Sequence, residues 1–541
     1  MKLVGAEGQV FCPYTFIWLF YSLLSMNEMN NGRICVPVCE NQAIELRQAM
    51  TSAGEVADLI ELRLDYLQGN ELFKALRNLP ALISASERPV IVTLRPAEQG
   101  GQREMDNLTR IIFWVEHFLY GKPHVDFADI ELDLALLFRQ RERDEGRELL
   151  NWNRVICSHH DFKSVPAELE KIYEQMAATP ARILKIAVQA NEITDCLPVF
   201  HLLDRARREG REMIAVAMGN AGIATRILAP SRGAFLTYGS LNNEQRSAPG
   251  QFAAADLREL YRVHKLNRQT EIMGLVSSNV SYSMSPHLHN AAFKALEVDA
   301  VYIPFEVRDV ADFVRRMAHP RTRELDWKLR GLSVTMPHKS TIMEHLDWIE
   351  TAARDIGAVN TIVVEKDELR GYNTDAAALV RPLREKGLDL REARCAVIGA
   401  GGAARSALWG LQNEGARVTL FARDVEKARP VAEKFGADCQ SLTDASFNEF
   451  EVVINATPLG TRGEREDMTP AFSNQLRGAR LAYDLVYNPP ETRFLREARA
   501  AGCDYLNGLQ MLAGQAAEQF RLWTGQPAPL DVMMEAALRK L

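Results

Sequence analysis

From residue 34 onward, short apolar or β-branched runs recur every 20 to 35 residues: ICVPV, DLIELRL, VIVTL, FADIEL, RVICS, ILKIAV, MIAVAM and AFLTY. Between most of them apolar positions fall three and four apart, over 43–53, 71–79, 107–119, 166–177 and 197–209, which is the spacing of one helix face. Strands alternating with helices build parallel sheets, and eight such repeats in about 230 residues predict a closed (β/α)8 barrel. The pattern changes after Arg268. A helix is expected near Pro286, and short apolar runs at 331–339, 357–362 and 371–375 end in Gly, Asn, Thr, Lys or Asp, which places polar groups at strand mouths. A strand over 394–398 then runs into a glycine turn and a helix over 406–413, and further runs at 417–421, 451–460 and 481–487 predict a Rossmann-like sheet.

At 541 residues the chain exceeds what one hydrophobic core sustains, roughly 250 to 300 residues, so two large or three ordinary domains are expected. A charged fraction of 25% against 47% apolar residues is a globular balance and speaks against disorder over most of the length. The net charge of −7 is spread without long single-sign runs. Neither a nucleic-acid groove nor a membrane-seeking face is indicated, no obligatory protein partner is evident, and small molecules are the expected partners. The eight cysteines (Cys12, Cys35, Cys39, Cys157, Cys196, Cys395, Cys439 and Cys503) form no CxxC pair. That argues against zinc or any other metal and favours a reducing cytoplasm. Residues 11–25 are apolar but short of the ~20 needed to span a membrane, and only Lys2 supplies a basic flank. Residues 1–30 are therefore read as an extension outside the catalytic folds, with Met26 and Met29 as alternative starts.

In a parallel barrel the chemistry lies at the C-terminal ends of the strands. The polar residues there are Glu61, Arg63 and Asp65 on strand two, Thr93 and Arg95 on strand three, Ser158 to Asp161 on strand five, and Lys185 on strand six. Arg226 follows strand seven, and Ser247 and Gln251 follow strand eight. A lysine between Leu184 and Ile186 faces into the barrel or breaks its strand's alternation. Burial lowers a lysine's pKa from about 10.4 and makes the amine a usable nucleophile for imine formation. The structural alternative is an ion pair with a neighbouring carboxylate. His160 is a candidate base for the carbon beside such an imine, with His159 as its rival.

These motifs, ELRLD at 61–65, TLRP at 93–96, SHHDF at 158–162, LKIAV at 184–188, MGNAGIATR at 218–226 and SAPGQ at 247–251, resemble the type I 3-dehydroquinate dehydratase family over roughly residues 33–251. The resemblance implies that Lys185 forms an imine with the ring ketone of 3-dehydroquinate and that His160 moves the adjacent proton. It implies Arg226 on the substrate carboxylate, and Glu61, Arg63, Arg95, Ser247 and Gln251 on the hydroxyls and carboxylate. One departure stands out: the family usually has Glu before the Gly-Gly that follows Arg95, and here that position is Gln99, with Glu98 one step earlier.

In the second half, Ser283 and Ser285 precede a helix and read either as caps or as ligands. Lys339 and Asp375 are candidates for a proton-transferring pair, the alternative being a surface ion pair. The turn Gly399, Ala400, Gly401, Gly402, Ala403 lies between strand and helix, the context in which a helix N-terminus holds a pyrophosphate. The next strand ends at Ala422, Arg423 and Asp424, where the ribose is read. Arg423 favours a 2′-phosphate and hence NADP, whereas Asp424 suits free ribose hydroxyls.

The motifs SYSMSPHLHN, GLSVTMPHK, GAVNTI, GYNTD, GAGGAAR, INATPLG, YDLVYNP and NGLQMLAGQAAEQF are similar to shikimate dehydrogenases over residues 271–541. That likeness implies Ser283 and Ser285 on the substrate carboxylate, Thr335, Asn360, Tyr487 and Gln515 around its ring, Lys339 and Asp375 as the catalytic pair, and Thr457 and Gly508 beside the cofactor. Ser333 stands where Asn is common, and Ala422-Arg423-Asp424 replaces the usual Asn-Arg-Thr, which leaves NAD as a weaker alternative to NADPH.

The order of the two halves resembles the bifunctional dehydratase-dehydrogenases of plants and some bacteria. The expected α/β architecture is a (β/α)8 barrel over 31–266, a shikimate-dehydrogenase-like substrate domain over 267–380 completed by helices in 506–541, and a Rossmann-like NADP-binding domain over 381–505. The resemblance implies dehydration of 3-dehydroquinate to 3-dehydroshikimate, followed by NADPH-dependent reduction to shikimate. Two alternatives stay open. One is a class I aldolase fused to a quinate-type dehydrogenase; the other is a barrel that has become a scaffold for the dehydrogenase.

Overall fold

A computed structural model describes residues 32–118, 125–242, 244, 248, 250–280 and 283–541. The extension 1–30 and Ser247 lie outside the described residues. The chain divides into two compact units, one made of the chain through Asn191 with Asp195–Thr270, the other centred on Glu271–Leu541.

In the first unit, eight strands run β1 Ile34–Val38, β2 Leu59–Arg63, β3 Val90–Thr93, β4 Phe127–Glu131, β5 Val155–Asp161, β6 Ile183–Gln189, β7 Glu212–Met218 and β8 Thr237–Tyr238. They pair in parallel from β7 through β1 to β8. The ring is nearly closed: between β7 and β8 a single parallel bridge joins Met213 to Ala234, with the Phe235 N–H donating to the Met213 carbonyl at 2.8 Å. Ala234 stands three residues ahead of β8, whose two residues pair with β1.

Side chains two apart on a strand share a face, so the barrel interior is layered. The lowest layer is apolar, with Leu59, Ile91, Ile156 and Ile183 packed together and Phe127 against them. Two residues further along each of these strands stand Glu61, Thr93, Ser158, Lys185 and Asp129, and two further again Arg63, Arg95, His160, Ala187 and Glu131. The switch from apolar to charged within one strand face puts ionisable groups on top of a hydrocarbon floor. The helices that cover the sheet match their sequence signals within a few residues, as in Asn107–Phe118 and Cys196–Arg208. Among the described residues no helix is long and apolar enough to cross a membrane.

The second unit holds two sheets. In the first, β9 Glu271–Ser277 lies between β10 Ala300–Glu306 and β11 Leu329–Val334, all parallel. β13 Thr361–Glu365 joins β11 antiparallel and forms a hairpin with β14 Glu368–Tyr372, and the two-residue β12 Trp348–Ile349 edges β14. In the second, β15 Arg394–Ile398, β16 Arg417–Ala422, β17 Asp438–Ser441, β18 Val452–Asn455, β19 Leu481–Asp484 and β20 Asp504–Leu506 form an all-parallel sheet ordered β17-β16-β15-β18-β19-β20. The order reverses between β15 and β18, and the crevice at such a reversal is where open α/β sheets bind ligands.

The last two helices, Leu509–Thr524 and Leu530–Lys540, pack back on the first of these sheets. Phe520, Trp523 and Met533 share a core with Met273, Leu288, Phe293 and Tyr302. Gly331 in β11 makes this possible, because a Cβ there would lie 2.0 Å from the Trp523 indole nitrogen. The Gly331→Ala variant is expected to lower the stability of the second unit by about 1–3 kcal/mol through overpacking. The check is thermal unfolding, in which the transition of the first unit should not move.

Candidate functional sites

The polar layer of the barrel gathers five of the residues singled out by sequence: Lys185, Glu61, Arg63, Arg95 and His160. Lys185, 5% exposed, donates from Nζ to Asp129 Oδ2 at 2.7 Å and to Glu61 Oε1 at 3.4 Å, and lies 4.6 Å from the centre of the Tyr238 ring. The amine is therefore buried and meets two carboxylates, the arrangement that the sequence left open as its structural alternative. Asp129 also takes Arg95 at 2.8 Å and the Ser158 hydroxyl at 2.5 Å. Arg95 reaches further, to Glu131 Oε1 at 3.2 Å, to Ser158 Oγ at 3.0 Å and to His160 Nδ1 at 3.2 Å. Thr93 donates to Glu61 at 2.7 Å, and Arg63 forms a two-bond pair with Asp65.

Burial by itself would raise the Asp129 carboxyl, but Arg95 and Lys185 outweigh it and hold it well below the usual carboxylate range. Burial, then Arg95 and Lys185, push His160 well below its ordinary value, so the ring is neutral near pH 7 and able to take up a proton. Strand alternation separates the two candidate histidines: Ser158 and His160 share the inner face with Arg95, and His159 takes the opposite face. Gln99 accepts the His160 backbone N–H at 3.1 Å, and Phe162 stacks on the His160 ring at 6.3 Å, with Gly100 leaving room for the Phe162 ring. Glu98 is exposed.

Arg226 is buried on the short helix Ile223–Leu228 after β7, where burial lowers it to about 10. Gln251 is buried as well. Sequence reasoning missed Asp129 and Glu131. Their signal was present, since FADIEL repeats the two-residue phase in which the neighbouring strands carry Glu61 and Arg95.

In the second unit Lys339 Nζ meets Asp375 Oδ2 at 2.5 Å. Asp375 is 4% exposed, so the pair is not the surface contact that was the alternative. Asn360 donates from Nδ2 to the other carboxylate oxygen at 2.8 Å and to the Thr374 hydroxyl at 2.9 Å. Asn373 ties this corner to the glycine turn, accepting from the Asp375 and Ala376 N–H groups and donating to Ser406 at 3.2 Å. Ser283 Oγ accepts from the Ser285 N–H, the first of helix Ser285–Ala295, at 3.2 Å, which is the kind of bond the capping reading asks for; Met284, at the cap position itself, makes no side-chain bond. Ser285 is buried, Ser283 and Thr335 are half-buried, and the half-buried Tyr487 phenol is raised by burial. Gln515 turns its amide to the Leu512 carbonyl at 2.9 Å.

The helix after β15 begins at Gly402, four residues earlier than the sequence suggested, so the glycine turn runs directly into it. Gly399 adopts φ +111°, and a Cβ on it would lie 3.0 Å from Thr457, while a Cβ on Gly401 would meet nothing within 4 Å. An open glycine at a helix N-terminus, between half-buried Ala400 and Ala403, fits a pyrophosphate. A Cβ on Gly508 would strike the Leu485 carbonyl at 2.2 Å, so the chain passes close there too. Asp424 spends its carboxylate on the N-terminus of helix Val425–Phe435, accepting from Lys427 at 3.1 Å, and that bond lowers its pKa. Arg423 is exposed beside it, after buried Ala422, and makes no ion pair among the described residues.

At the mouth of β19, Asp484 is fully buried and accepts from Thr492, Val486 and Asn455, and Asn455 in turn accepts from Thr457 at 2.6 Å. Burial raises the Asp484 carboxyl to about 7 against those three donors.

The comparisons with known proteins cover both sites. Residues 34–268 match the type I 3-dehydroquinase family, 275–362 the shikimate dehydrogenase substrate binding domain, 382–487 the shikimate / quinate 5-dehydrogenase family, and 508–538 the shikimate 5′-dehydrogenase C-terminal domain. The chain is 33% identical over 525 residues to a bifunctional 3-dehydroquinate dehydratase/shikimate dehydrogenase, chloroplastic, of Arabidopsis thaliana, covering 93% of this chain and 84% of that one. It is 27% identical over 492 residues to the shikimate biosynthesis protein AroDE of Chlamydia pneumoniae, covering 91% and 95%. Its second half is 35% identical over 288 residues to a shikimate dehydrogenase (NADP(+)) of Methanopyrus kandleri, 51% of this chain and 98% of that one.

Two outcomes are expected from this geometry. Asp129→Asn leaves Arg95 and Lys185 short of a carboxylate and should lower the stability of the first unit by about 3–5 kcal/mol, read as a drop in its denaturation midpoint. Asp484 carries its proton to about pH 7 when folded, whereas an unfolded aspartate releases it near 3.8. Its contribution is therefore complete below pH 3.8 and lost as pH rises toward 7. Melting of the second unit should fall over that window, and Asp484→Asn should flatten the fall.

Proposed function

We infer the activity from one premise: the chain belongs to the family of bifunctional 3-dehydroquinate dehydratase/shikimate dehydrogenases. We propose that its first unit dehydrates 3-dehydroquinate to 3-dehydroshikimate and that its second reduces this product to shikimate with NADPH. The observation that carries the reading is the Lys185 amine, inside a parallel barrel and one strand from the inward face of a neutral His160.

In the dehydration, the Lys185 amine gives a proton to the Glu61 carboxylate beside it, adds to the ring ketone and, with loss of water, forms an imine. The imine draws electrons from the neighbouring carbon, and neutral His160 takes the proton from it. The same imidazolium then protonates the departing hydroxyl, so that the ring returns to its starting state. Hydrolysis of the imine frees the product and the amine. Arg226 holds the carboxylate, and Glu61, Arg63, Arg95, Ser247 and Gln251 hold the remaining oxygens. Gln99 contributes through the His160 main chain, a task an amide performs as well as a carboxylate.

In the reduction, NADPH supplies hydride when bound. Lys339 and Asp375 deliver the proton to the oxygen that becomes an alcohol. Ser283 and Ser285 hold the carboxylate, and Thr335, Asn360, Tyr487 and Gln515 surround the ring. The turn 399–403 with Thr457 and Gly508 holds the dinucleotide, and Arg423 pairs with its 2′-phosphate, because Asp424 is committed to its helix. NAD is the weaker cofactor on this account. We place the chain in the cytoplasm, a reducing compartment, since the seven described cysteines are free thiols; the chloroplastic name belongs to the Arabidopsis relative.

Borohydride added with 3-dehydroquinate should fix a mass adduct on the chain, and Lys185→Ala should abolish it. An unlabelled wild-type chain would make the barrel a scaffold. Arg423→Ala should raise KM for NADPH about tenfold, the worth of one arginine–phosphate pair of about 1.4 kcal/mol, with KM for NADH unchanged.

A further inference from the structure

Gln519 belongs to none of the motif positions tied above to substrate or cofactor, yet it is 1% exposed and every bonding direction of its amide is used inward. Its Oε1 accepts from the Ser333 hydroxyl at 2.7 Å. Its Nε2 donates to the Asn360 carbonyl at 3.3 Å and to the Thr361 hydroxyl at 3.1 Å. One turn later on the same helix, Trp523 donates to the Ile362 carbonyl at 2.9 Å. The helix Leu509–Thr524 is thus bonded to three successive residues of the chain entering β13.

We propose that Gln519 is a positioning residue for reduction: its amide, delivered by the C-terminal helix, replaces one that β11 lacks at Ser333 and fixes Asn360, and through Asn360 the orientation of Asp375. The proposal rests on the dehydrogenase reading of the site, which turnover by the unmodified chain tests separately.

The chain of bonds is continuous. Thr361, which receives the Gln519 proton, donates to Asn360 Oδ1 at 2.9 Å. Asn360 Oδ1 also accepts the Thr374 N–H at 2.8 Å, and Nδ2 holds Asp375 Oδ1, the carboxylate oxygen that Lys339 does not take. Rotation of the Asp375 carboxylate is therefore set from one side by Lys339 and from the other by Asn360. A serine at 333 is too short to reach Asn360 and Thr361 itself; an asparagine there carries its own amide. Gln519 supplies that amide from across the core, and Ser333 leaves the room for it. A hydrocarbon at 519 would take from the Ser333 hydroxyl its 2.7 Å acceptor, which is costly for a buried group, and would remove one of two holds on the Asn360 carbonyl, leaving only the Val334 N–H at 2.8 Å. His289 lies in the same core, stacked on Tyr302 at 4.4 Å, and burial lowers it to about 3 against a side-chain hydrogen bond with Gln519.

The test uses the full chain with Gln519→Ala, Ser333→Asn and the double variant, assayed for shikimate oxidation with NADP across pH, with borohydride trapping of the barrel as the control for folded protein. Gln519→Ala should lower kcat about tenfold and displace the limb of the kcat–pH profile by about one pH unit, while KM for NADP stays fixed. Adding Ser333→Asn should restore kcat to within about threefold of wild type and return the limb to its place. A folded Gln519→Ala chain with unchanged kcat and profile would overturn the proposal. Should the single variant fail to fold, the double variant decides: a wild-type profile supports the exchange of amides, and an inactive or unfolded double variant sinks it.

Discussion

The Asp129 carboxylate is the point on which the first unit's chemistry depends. One oxygen pair at the centre of the barrel receives a lysine ammonium, an arginine guanidinium and a serine hydroxyl at 2.5 to 2.8 Å. Without it, Arg95 and Lys185 would be two like charges facing each other across the barrel interior, with only Glu61 and Glu131 to offset them, and their repulsion would drive the lysine out of the layer or the arginine off His160. With it, Arg95 is free to span from Glu131 to His160, and the positive charge it brings adds to burial, the larger cause, in holding that imidazole well below its ordinary value. Stability and reactivity are linked here: the contact that makes the barrel centre electrically tolerable also prepares the base.

The second unit solves a similar problem without a cluster of charges. A single ion pair, Lys339 with Asp375, is set by amides and hydroxyls: Asn360, Asn373, Thr361, Thr374 and Gln519. Neutral partners orient a carboxylate without cancelling its charge. Asn373 and Ser406 carry this network to the helix that begins at the glycine turn, so the Lys339–Asp375 pair and that turn share one polar scaffold.

The sequence made Lys185 and His160 legible because each interrupts an apolar strand, and Lys339 and Asp375 because each closes a short run that ends in polar residues just past a strand. Asp129 and Glu131 break such a run in the same way, but their strand carries no motif as distinctive as SHHDF. Only the alternation shared by five strands exposes them. Gln519 was harder still. It sits in a helix whose apolar stripe explains most of its neighbours, and its partner Ser333 lies 186 residues away. Asp424 was ambiguous for a local reason: ribose recognition and helix capping ask for the same residue at the same place, and only its bond to Lys427 separates them.

By itself, then, the order of apolar runs determined eight strands in parallel, a second unit with a dinucleotide sheet, and the positions along each strand where charge interrupts hydrocarbon. Periodicity is a property of neighbouring residues, so one strand at a time suffices to read it. The tertiary structure decided which carboxylate each buried cation faces, which of two adjacent histidines turns inward beside Arg95, and which distant amide bonds to Asn360 and Thr361. Those outcomes depend on the stagger between strands and on where a C-terminal helix returns. Both are set by packing over the whole unit, where a shift of one residue in register would send every side chain of a strand to its opposite face.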